Sequence, residues 1–321
     1  MNVKWYLLDS GILQKQSSPG RWPEIDTAKP GEYWFDIEAA NPEELLQFLN
    51  RLDLHPIQLA RCLDSVNDPG VISFGNVSLM EYPAAFDENS DDPCYLTIII
   101  NGSILITIRH GKIPSLDELI DELLVKDASP LRHIAQIVYL ILDQFADLNV
   151  SAEIKIRDQI MHMSKKLADN PNSINVNEFS RLRWQVEKLV SLIENQLYCV
   201  SGLGASDNSA LQEPHRKAYI QDLVSEAEIA QRGIYRLENR VNGLYNDYQM
   251  AGTNRVEKRL RFLTIVSVIT LPLGLIAGLL GMNVGGLPGT SFHYGFLVVV
   301  TLMLVIAVLE YLFFRRNSWF D

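Results

Sequence analysis

The spacing of hydrophobic positions changes twice along the chain. Up to residue 125 apolar residues alternate with polar ones in short runs, and from Leu131 they recur every three or four residues. From Leu260 onward they form two long, almost uninterrupted runs. Alternation is typical of strands, a three-to-four spacing of helices, and long apolar runs of membrane spans. We therefore expect an α+β region, then long helices, then two membrane-spanning helices.

The first region, residues 1–125, is predicted to be a cytosolic domain with a mixed or antiparallel sheet. Asn101-Gly102 favours a two-residue type I′ turn between the last two strands. Asn41-Pro42-Glu43-Glu44 is typical of a helix start, with asparagine at the N-cap. We expect a meander with helices packed on one face. The predicted strands are 3–8, 33–37, 71–74, 77–82, 95–100 and 104–109.

Residues 126–215 are predicted to form a helical hairpin that is broken at Asn170-Pro171-Asn172. A stalk helix over 216–259 follows, and no proline lies between Pro214 and Pro272, so this helix can continue into the first apolar run. The stalk carries a heptad pattern, which predicts a supercoiling seam and favours an oligomer. The seam positions are Ile220, Ala227, Ile234, Val241 and Tyr248, with Leu223, Ala230, Leu237, Leu244 and Ala251.

The two apolar runs are predicted to cross a membrane. They cover residues 260–283 and 292–314, joined by an external loop over 284–291, and carry no charge between Arg261, at the start of the first run, and Glu310. A hydrocarbon core about 30 Å thick needs about 20 helical residues. The tail over 315–321 is basic, as is the segment before the first span, so both termini are expected in the cytoplasm.

Charge and cysteine content narrow the class of protein. The chain has a net charge of −11, whereas the part from Arg255 onward is positive, so the N-terminal part is strongly acidic. Such a domain excludes nucleic acid as a partner and suits the concentration or sensing of cations. The three cysteines have no paired spacing, and no Walker A loop or zinc-enzyme His pair occurs. The sequence therefore predicts no enzyme and no bound cofactor.

The C-terminal motifs resemble those of the CorA superfamily of divalent-cation transporters. The first span contains Leu271-Pro272-Leu273 and ends in Gly281-Met282-Asn283. The loop that follows, Val284 to Gly289, has no acidic residue and resembles the zinc-transporting ZntB branch, whereas the magnesium branch usually has acids there. The resemblance implies a homopentameric funnel in the inner membrane of a bacterial cell, with the first span lining a central pore.

One face of the first span is the predicted pore lining. It mixes leucine, small and hydroxyl-bearing residues and offers no carboxylate, imidazole or thiol, so a largely hydrated ion is expected to pass. The leucines can form hydrophobic constrictions that gate by dewetting. The alternative is that the glycines only permit close helix packing. The pore-lining residues are Leu260, Leu263, Thr264, Ser267, Thr270, Leu271, Gly274 and Gly278.

The predicted selectivity filter is Gly281, Met282 and Asn283. The Asn283 side-chain carbonyl can accept hydrogen bonds from the water shell of a cation, although asparagine also caps helix C-termini well. His293 can bind zinc or a proton, or anchor the span at the interface beside Tyr294. Asp247 and Glu257 can ring the inner mouth, or Glu257 can pair with the neighbouring bases.

The leading hypothesis is transport of divalent metal cations, with Zn²⁺ favoured. Its partners are further copies of the chain, the lipid bilayer and the transported ion. One alternative is a Mg²⁺, Co²⁺ or Ni²⁺ channel of the CorA type. Another is a membrane-anchored coiled-coil scaffold or sensor, which predicts a dimer or trimer and no role for Asn283. The direction of transport, its coupling to protons and gating by metal in the cytosolic domain stay open.

Overall fold

The computed structural model of the chain describes residues 2–16, 31–38, 41–52, 54–63, 68–86, 93–125, 131, 133–208, 211, 214–282, 293–317 and 319. Two compact units are present. The first comprises residues 1–165 and 174–242, and the second comprises residues 166–173 and 243–321.

A seven-stranded mixed sheet organises the first unit. The strands lie in the order β2-β1-β3-β7-β6-β5-β4. Every neighbouring pair is antiparallel except β3 and β7, which run parallel. A parallel pair needs a long crossover, and the chain between these two strands supplies it. The strands are β1 (Asn2–Asp9), β2 (Ile12–Gln16), β3 (Glu32–Glu38), β4 (Gly70–Phe74), β5 (Val77–Phe86), β6 (Pro93–Asn101) and β7 (Ile104–His110).

The turn between β6 and β7 lies one residue later than predicted. Asn101 pairs with Ile104, so the two-residue loop is Gly102-Ser103. Gly102 has a φ of 57° whereas Ser103 keeps a negative φ. Glycine at the first central position is typical of a type II′ turn, so the type I′ prediction was wrong. Asn101 stays in the strand, where its side-chain amide donates to the Leu52 carbonyl at 3.1 Å.

Strand β2 was missed by the sequence reading. It pairs with β1 through a tight turn in which both central residues have positive φ, 51° at Ser10 and 85° at Gly11. Two positive φ values define a type I′ turn. The signal was present, since a Ser-Gly dipeptide between two runs containing apolar residues favours a hairpin.

The helices begin where the sequence places strong start signals. Asn41 accepts a hydrogen bond from the Glu43 amide at 3.1 Å, and Asn175 accepts one from the Asn177 amide at 3.0 Å. Both asparagines are therefore N-caps. The helices are α1 (Pro42–Leu49), α2 (Pro56–Leu63), α3 (Pro114–Leu123), α4 (Ile134–Asp169), α5 (Val176–Gly204), α6 (Pro214–Leu280) and α7 (Gly295–Arg316), with a 3-10 turn at Pro171–Ser173.

Both faces of the sheet are covered, which corrects the prediction of helices on one face only. On one face Phe35 packs in a core with Phe48 of α1 and Cys62 of α2. On the other face Trp34 belongs to a core that includes residues of α3, α4, α5 and α6. Strand β6 is buried along both faces, and such near-continuous apolar runs are typical of strands covered on both sides.

The apolar seam of α6 is buried within the single chain in the first unit. Ile220, Ile234 and Val241 are between 0% and 3% exposed. The Tyr139 ring of α4 contacts the Tyr219 ring of α6 at a tilt of 41°, with 5.1 Å between the ring centroids. Antiparallel helix packing uses the same three-to-four spacing as a coiled coil between chains. In this stretch the heptad pattern therefore reports packing of α6 on its own chain, not a seam left open for another copy.

Candidate functional site

Helices α6 and α7 each contain a stretch that is long and apolar enough to cross a membrane. Almost none of the residues in these stretches is buried within the chain. Phe296, for example, is 84% exposed. Large apolar side chains on so long an unbroken surface need a lipid or protein neighbour, because their exposure to water is unfavourable. These helices therefore match the two predicted membrane spans.

The eight predicted pore-lining residues all lie on α6, and all are exposed. Leu271 has the most exposed side chain of the three leucines, at 71%. The shielded positions of the same segment are Ile265, which is 4% exposed, and the half-buried Ile269, Pro272, Leu273 and Ile276. At about 100° of rotation per residue these two stripes lie on opposite sides of the helix. The predicted pore face thus lies on an exposed side of the helix in the part of the chain that the structure describes.

Three hydroxyl groups on this segment bond to the helix itself. Thr264 donates to the Leu260 carbonyl, Ser267 to the Leu263 carbonyl and Thr270 to the Val266 carbonyl, each at 2.8 Å. A hydroxyl group has one proton and two lone pairs, so its oxygen can still accept hydrogen bonds. The stripe therefore presents acceptors for the O–H groups of water molecules, which point outward from a hydrated cation.

Helix α6 closes at the predicted filter motif. The Gly281 amide donates to the Ala277 carbonyl at 2.9 Å. A Cβ atom at Gly281 would lie 2.9 Å from that same carbonyl oxygen, so this close approach requires glycine. Met282 follows with 52% of its surface exposed. Asn283, the loop over 284–291 and Phe292 lie outside the described residues, so the role assigned to Asn283 stays a prediction.

The weaker candidates are not gathered into one site. Asp247 and Glu257 are exposed on α6, and His293 is exposed just before α7. The His293 ring contacts the Tyr294 ring edge-on at 5.1 Å between centroids, and both roles considered for His293 stay predictions. Within the described ranges, no group of three or more His, Cys, Asp or Glu side chains is placed to hold a metal ion.

An acidic cluster between α4 and α6 was missed. Tyr139 donates to Asp222 at 3.0 Å, and Asp143 and Glu226 share a hydrogen bond. Burial, followed by the neighbouring carboxylates Asp147 and Asp222 among others, raises the pKa of Asp143 and of Glu226. The signal was local, because both helices place acids four residues apart and thus on one face.

A buried ion-pair network in the first unit was also missed. Arg109 of β7 donates to Asp36 of β3 at 3.0 and 2.8 Å and to Asp117 of α3 at 2.9 Å. Burial opposes ionisation of Asp117, yet Arg109 and Lys4 lower the pKa of that carboxyl group below its usual range. The network joins the parallel strand pair to α3, and Thr107 adds a hydrogen bond to Asp36 at 2.9 Å.

Comparison with known proteins identifies the class. The model of the family described as "CorA-like Mg2+ transporter protein" matches residues 31–316. The cobalt/magnesium transport protein CorA of Thermotoga maritima is 23% identical over 92% of this chain and 85% of its own length. The zinc transport protein ZntB of Cronobacter sakazakii is also 23% identical, over 89% of this chain and 87% of its own length. The structure of the CorA magnesium transporter of Methanocaldococcus jannaschii superposes with a TM-score of 0.83 at 18% identity, covering 99% of both chains.

The chain therefore belongs to the CorA-like Mg²⁺ transporter family, a family of divalent-cation transporters rather than enzymes. The superposition also confirms the predicted fold class: a domain of sheet and helices, a long helix and two apolar C-terminal helices. The relatives include proteins named for zinc and for magnesium or cobalt.

Proposed function

We propose that the chain forms a homopentameric pore that conducts divalent metal cations, with the first span of α6 around the axis. The observation that carries this proposal is the exposed stripe from Leu260 to Gly278, opposite the shielded side at Ile265. A face that is exposed in one chain, with hydroxyl groups bonded to the helix's own carbonyls, suits contact with water and with equivalent helices. Hydrated ions can be passed along such acceptors without tight binding.

The proposed filter is Gly281-Met282-Asn283, where five Asn283 carbonyl oxygens would converge on the axis. Neutral oxygens bind the water shell of a cation weakly enough to release it. We favour Zn²⁺ as the transported ion because the loop over Val284 to Gly289 contains no acid. The family model and the CorA relatives support a second candidate, a Mg²⁺ or Co²⁺ channel.

The proposed location is the inner membrane of a bacterial cell, with both termini in the cytoplasm. Three bases lie just before the first span and Arg261 lies at its start, whereas Arg315 and Arg316 follow the second. An excess of Lys and Arg marks the cytoplasmic side of a span. The acidic sheet domain then lies in the cytoplasm.

The test is flux of Zn²⁺, Ni²⁺, Co²⁺ and Mg²⁺ into proteoliposomes that hold a metal-sensitive dye. We expect flux of at least one of these ions, with Zn²⁺ the fastest, and at least a tenfold loss in Asn283→Ala. Asn317→Ala is the matched control, since Asn317 lies at the exposed C-terminus of α7, and it should leave flux unchanged. Absence of flux for all four ions, or equal flux in the two variants, contradicts the proposal.

The mass of the detergent-solubilised protein tests the assembly. The proposal requires five copies, whereas the coiled-coil scaffold requires two or three. The scaffold also needs an open seam on α6, and the seam residues from Ile220 to Val241 are already covered within the chain. A dimer or trimer would remove the pore axis and with it the proposed filter.

A further inference from the structure

Three polar side chains form a continuous hydrogen-bonded chain within the sheet. The Thr97 hydroxyl group of β6 lies 3.0 and 2.9 Å from the two carboxylate oxygens of Glu81 on β5. The same hydroxyl group lies 2.8 Å from Nε2 of His110, at the end of β7. Glu81 is 4% exposed and Thr97 is fully buried, whereas His110 is partly exposed. The imidazole therefore connects a buried carboxyl group to the surface.

A single hydroxyl proton between two acceptors couples the protonation of the two ends. When Glu81 is ionised, Thr97 donates to the carboxylate and His110 must donate Nε2–H to the Thr97 oxygen. When Glu81 is protonated, it can donate to Thr97, and the Thr97 proton then points to an unprotonated Nε2. Proton release follows the same path: Glu81 protonates the Thr97 oxygen, Thr97 passes its own proton to Nε2, and Nδ1 releases one to water.

The surroundings favour the protonated carboxyl group. Arg61 of α2 faces this region but donates to the Asp68 carboxylate at 3.2 Å, and among the described residues no cation forms an ion pair with Glu81. Burial raises the pKa of Glu81 to about 7, opposed by the Thr97 hydrogen bond and by Arg61. Burial also lowers the pKa of His110.

Two further titratable groups close to Glu81 are buried thiols that stay neutral. Burial raises the pKa of Cys62 on α2 and of Cys199 on α5 to about 12. Neither thiol changes charge where the Glu81 chain titrates. The two thiols therefore contribute no change of charge near neutral pH in this part of the sheet.

Strand β5 is tied to α5 next to this chain. The Cys199 thiol donates to the main-chain carbonyl of Glu81 at 3.1 Å, and the Gln196 amide donates to the Pro83 carbonyl at 2.9 Å. Just after α5, Asn208 donates to the Ser78 hydroxyl group at 3.1 Å. An uncompensated anion at Glu81 would draw water or a cation into the sheet, and these tethers would carry the strain to α5.

We propose that Glu81, Thr97 and His110 form a proton-binding site through which pH alters the packing of β5 against α5. Protonation completes a neutral hydrogen-bonded chain and holds the strand in place. Loss of the proton leaves a buried carboxylate with one hydroxyl donor and loosens the strand. The site lies in the sheet domain and does not depend on ion conduction by the spans.

The direct test measures the C=O stretching band of protonated carboxyl groups by infrared difference spectroscopy on the full chain in nanodiscs. We expect a band that disappears within about one pH unit of 7. It should be absent in Glu81→Gln and present in Glu118→Gln, the matched control, because Glu118 is an exposed carboxyl group on α3. Persistence of the band in Glu81→Gln overturns the proposal.

Thr97→Val separates a relay from simple burial. Valine keeps the shape of the Thr97 side chain but removes the hydroxyl donor to the ionised carboxylate of Glu81. The pH at which half of the carboxyl band has disappeared should therefore rise by at least half a pH unit. An unchanged midpoint contradicts the role of Thr97. Hydrogen exchange supplies the structural readout: after correction for intrinsic rates, β5 amides should exchange several-fold faster at pH 8 than at pH 6. This difference in exchange rate should vanish in Glu81→Gln. If the wild-type protein shows no difference between the two pH values, protonation of Glu81 does not alter the packing of β5.

Discussion

The sheet domain and the first membrane span differ in where their apolar side chains lie and in how their polar groups are satisfied. In the sheet domain Asp36 and Arg109 are almost fully buried and satisfy each other, while the apolar side chains fill two cores. In the span the leucines are exposed, and the hydroxyl groups are satisfied by the helix's own carbonyls. One region is complete within a single chain, whereas the exposed apolar side chains of the other need a lipid or protein neighbour.

This difference separates two kinds of evidence for function. A buried polar group in the sheet domain already has partners, so a group with too few of them, such as Glu81, stands out. A polar group on the span is judged by what it still offers outward, which for Ser267 is a lone pair.

Asp36→Ala tests the completeness of the sheet domain. Removal of one member of a buried pair leaves the other charge uncompensated, which costs about 3–5 kcal/mol. Denaturant unfolding followed by intrinsic fluorescence measures the loss. Lys4→Ala is the control: its bond to Asp117 at 3.3 Å is partly exposed, so it should cost less than about 1 kcal/mol. Equal costs for the two variants would show that the buried pair contributes no more than a surface one.

A pair of substitutions in α6 tests its two sides. Ile265→Ala should lower the free energy of unfolding by about 2 kcal/mol, the lower end of the range for truncating a buried isoleucine. The loss is small because the unfolded segment stays partly in lipid, so less of the side chain is transferred to water. Leu271→Ala should leave stability unchanged, since the side chain is 71% exposed, and should raise ion flux by widening a constriction. Melting temperature and proteoliposome flux are read on both variants. If Ile265→Ala alone changes flux, the pore face is misassigned.

Asn41→Ala tests a local signal in the sheet domain. The lost bond to the Glu43 amide should cost about 1 kcal/mol of stability. Asn41→Ser should restore most of it, because serine also caps helix N-termini. Chemical denaturation of the three proteins measures the difference. A serine variant as unstable as the alanine variant would remove the capping explanation.

Glu226→Gln tests the acidic cluster. The raised pKa values of Glu226 and Asp143 mean that the folded state binds protons more tightly than the unfolded state. Their contribution to stability is present below about pH 4 and is lost as the pH rises through the folded values. Glu226→Gln should therefore be more stable than the wild type at pH 7 by roughly 0.5–1 kcal/mol, a small effect because Glu226 and Asp143 are only half-buried and solvent screens their repulsion. Melting curves at pH 4 and pH 7 should diverge only at the higher pH.

Most of the correct fold prediction came from hydropathy and from local signals for helix starts. The N-cap at Asn41, the spans and the unbroken helix into the first span depend on neighbouring residues, so they were readable from the sequence. The position of the β6–β7 turn could not be predicted from neighbouring residues. It depends on the hydrogen bond from the Asn101 side chain to the carbonyl of Leu52, about 50 residues away. The heptad pattern of α6 predicted a helix, but it could not show what the helix packs against. Packing within a chain and packing between chains use the same spacing.

The sequence by itself determined the exposed stripe from Leu260 to Gly278, because helical periodicity alone places those residues on one face. Only the tertiary structure joined Asp36 to Arg109, or Glu81 to Thr97 and His110. These partners come from different strands, and which strands become neighbours follows from the order β3-β7-β6-β5. That order is a global property of the sheet, set by which arrangement buries both of its faces, and no local pattern of residues reports it.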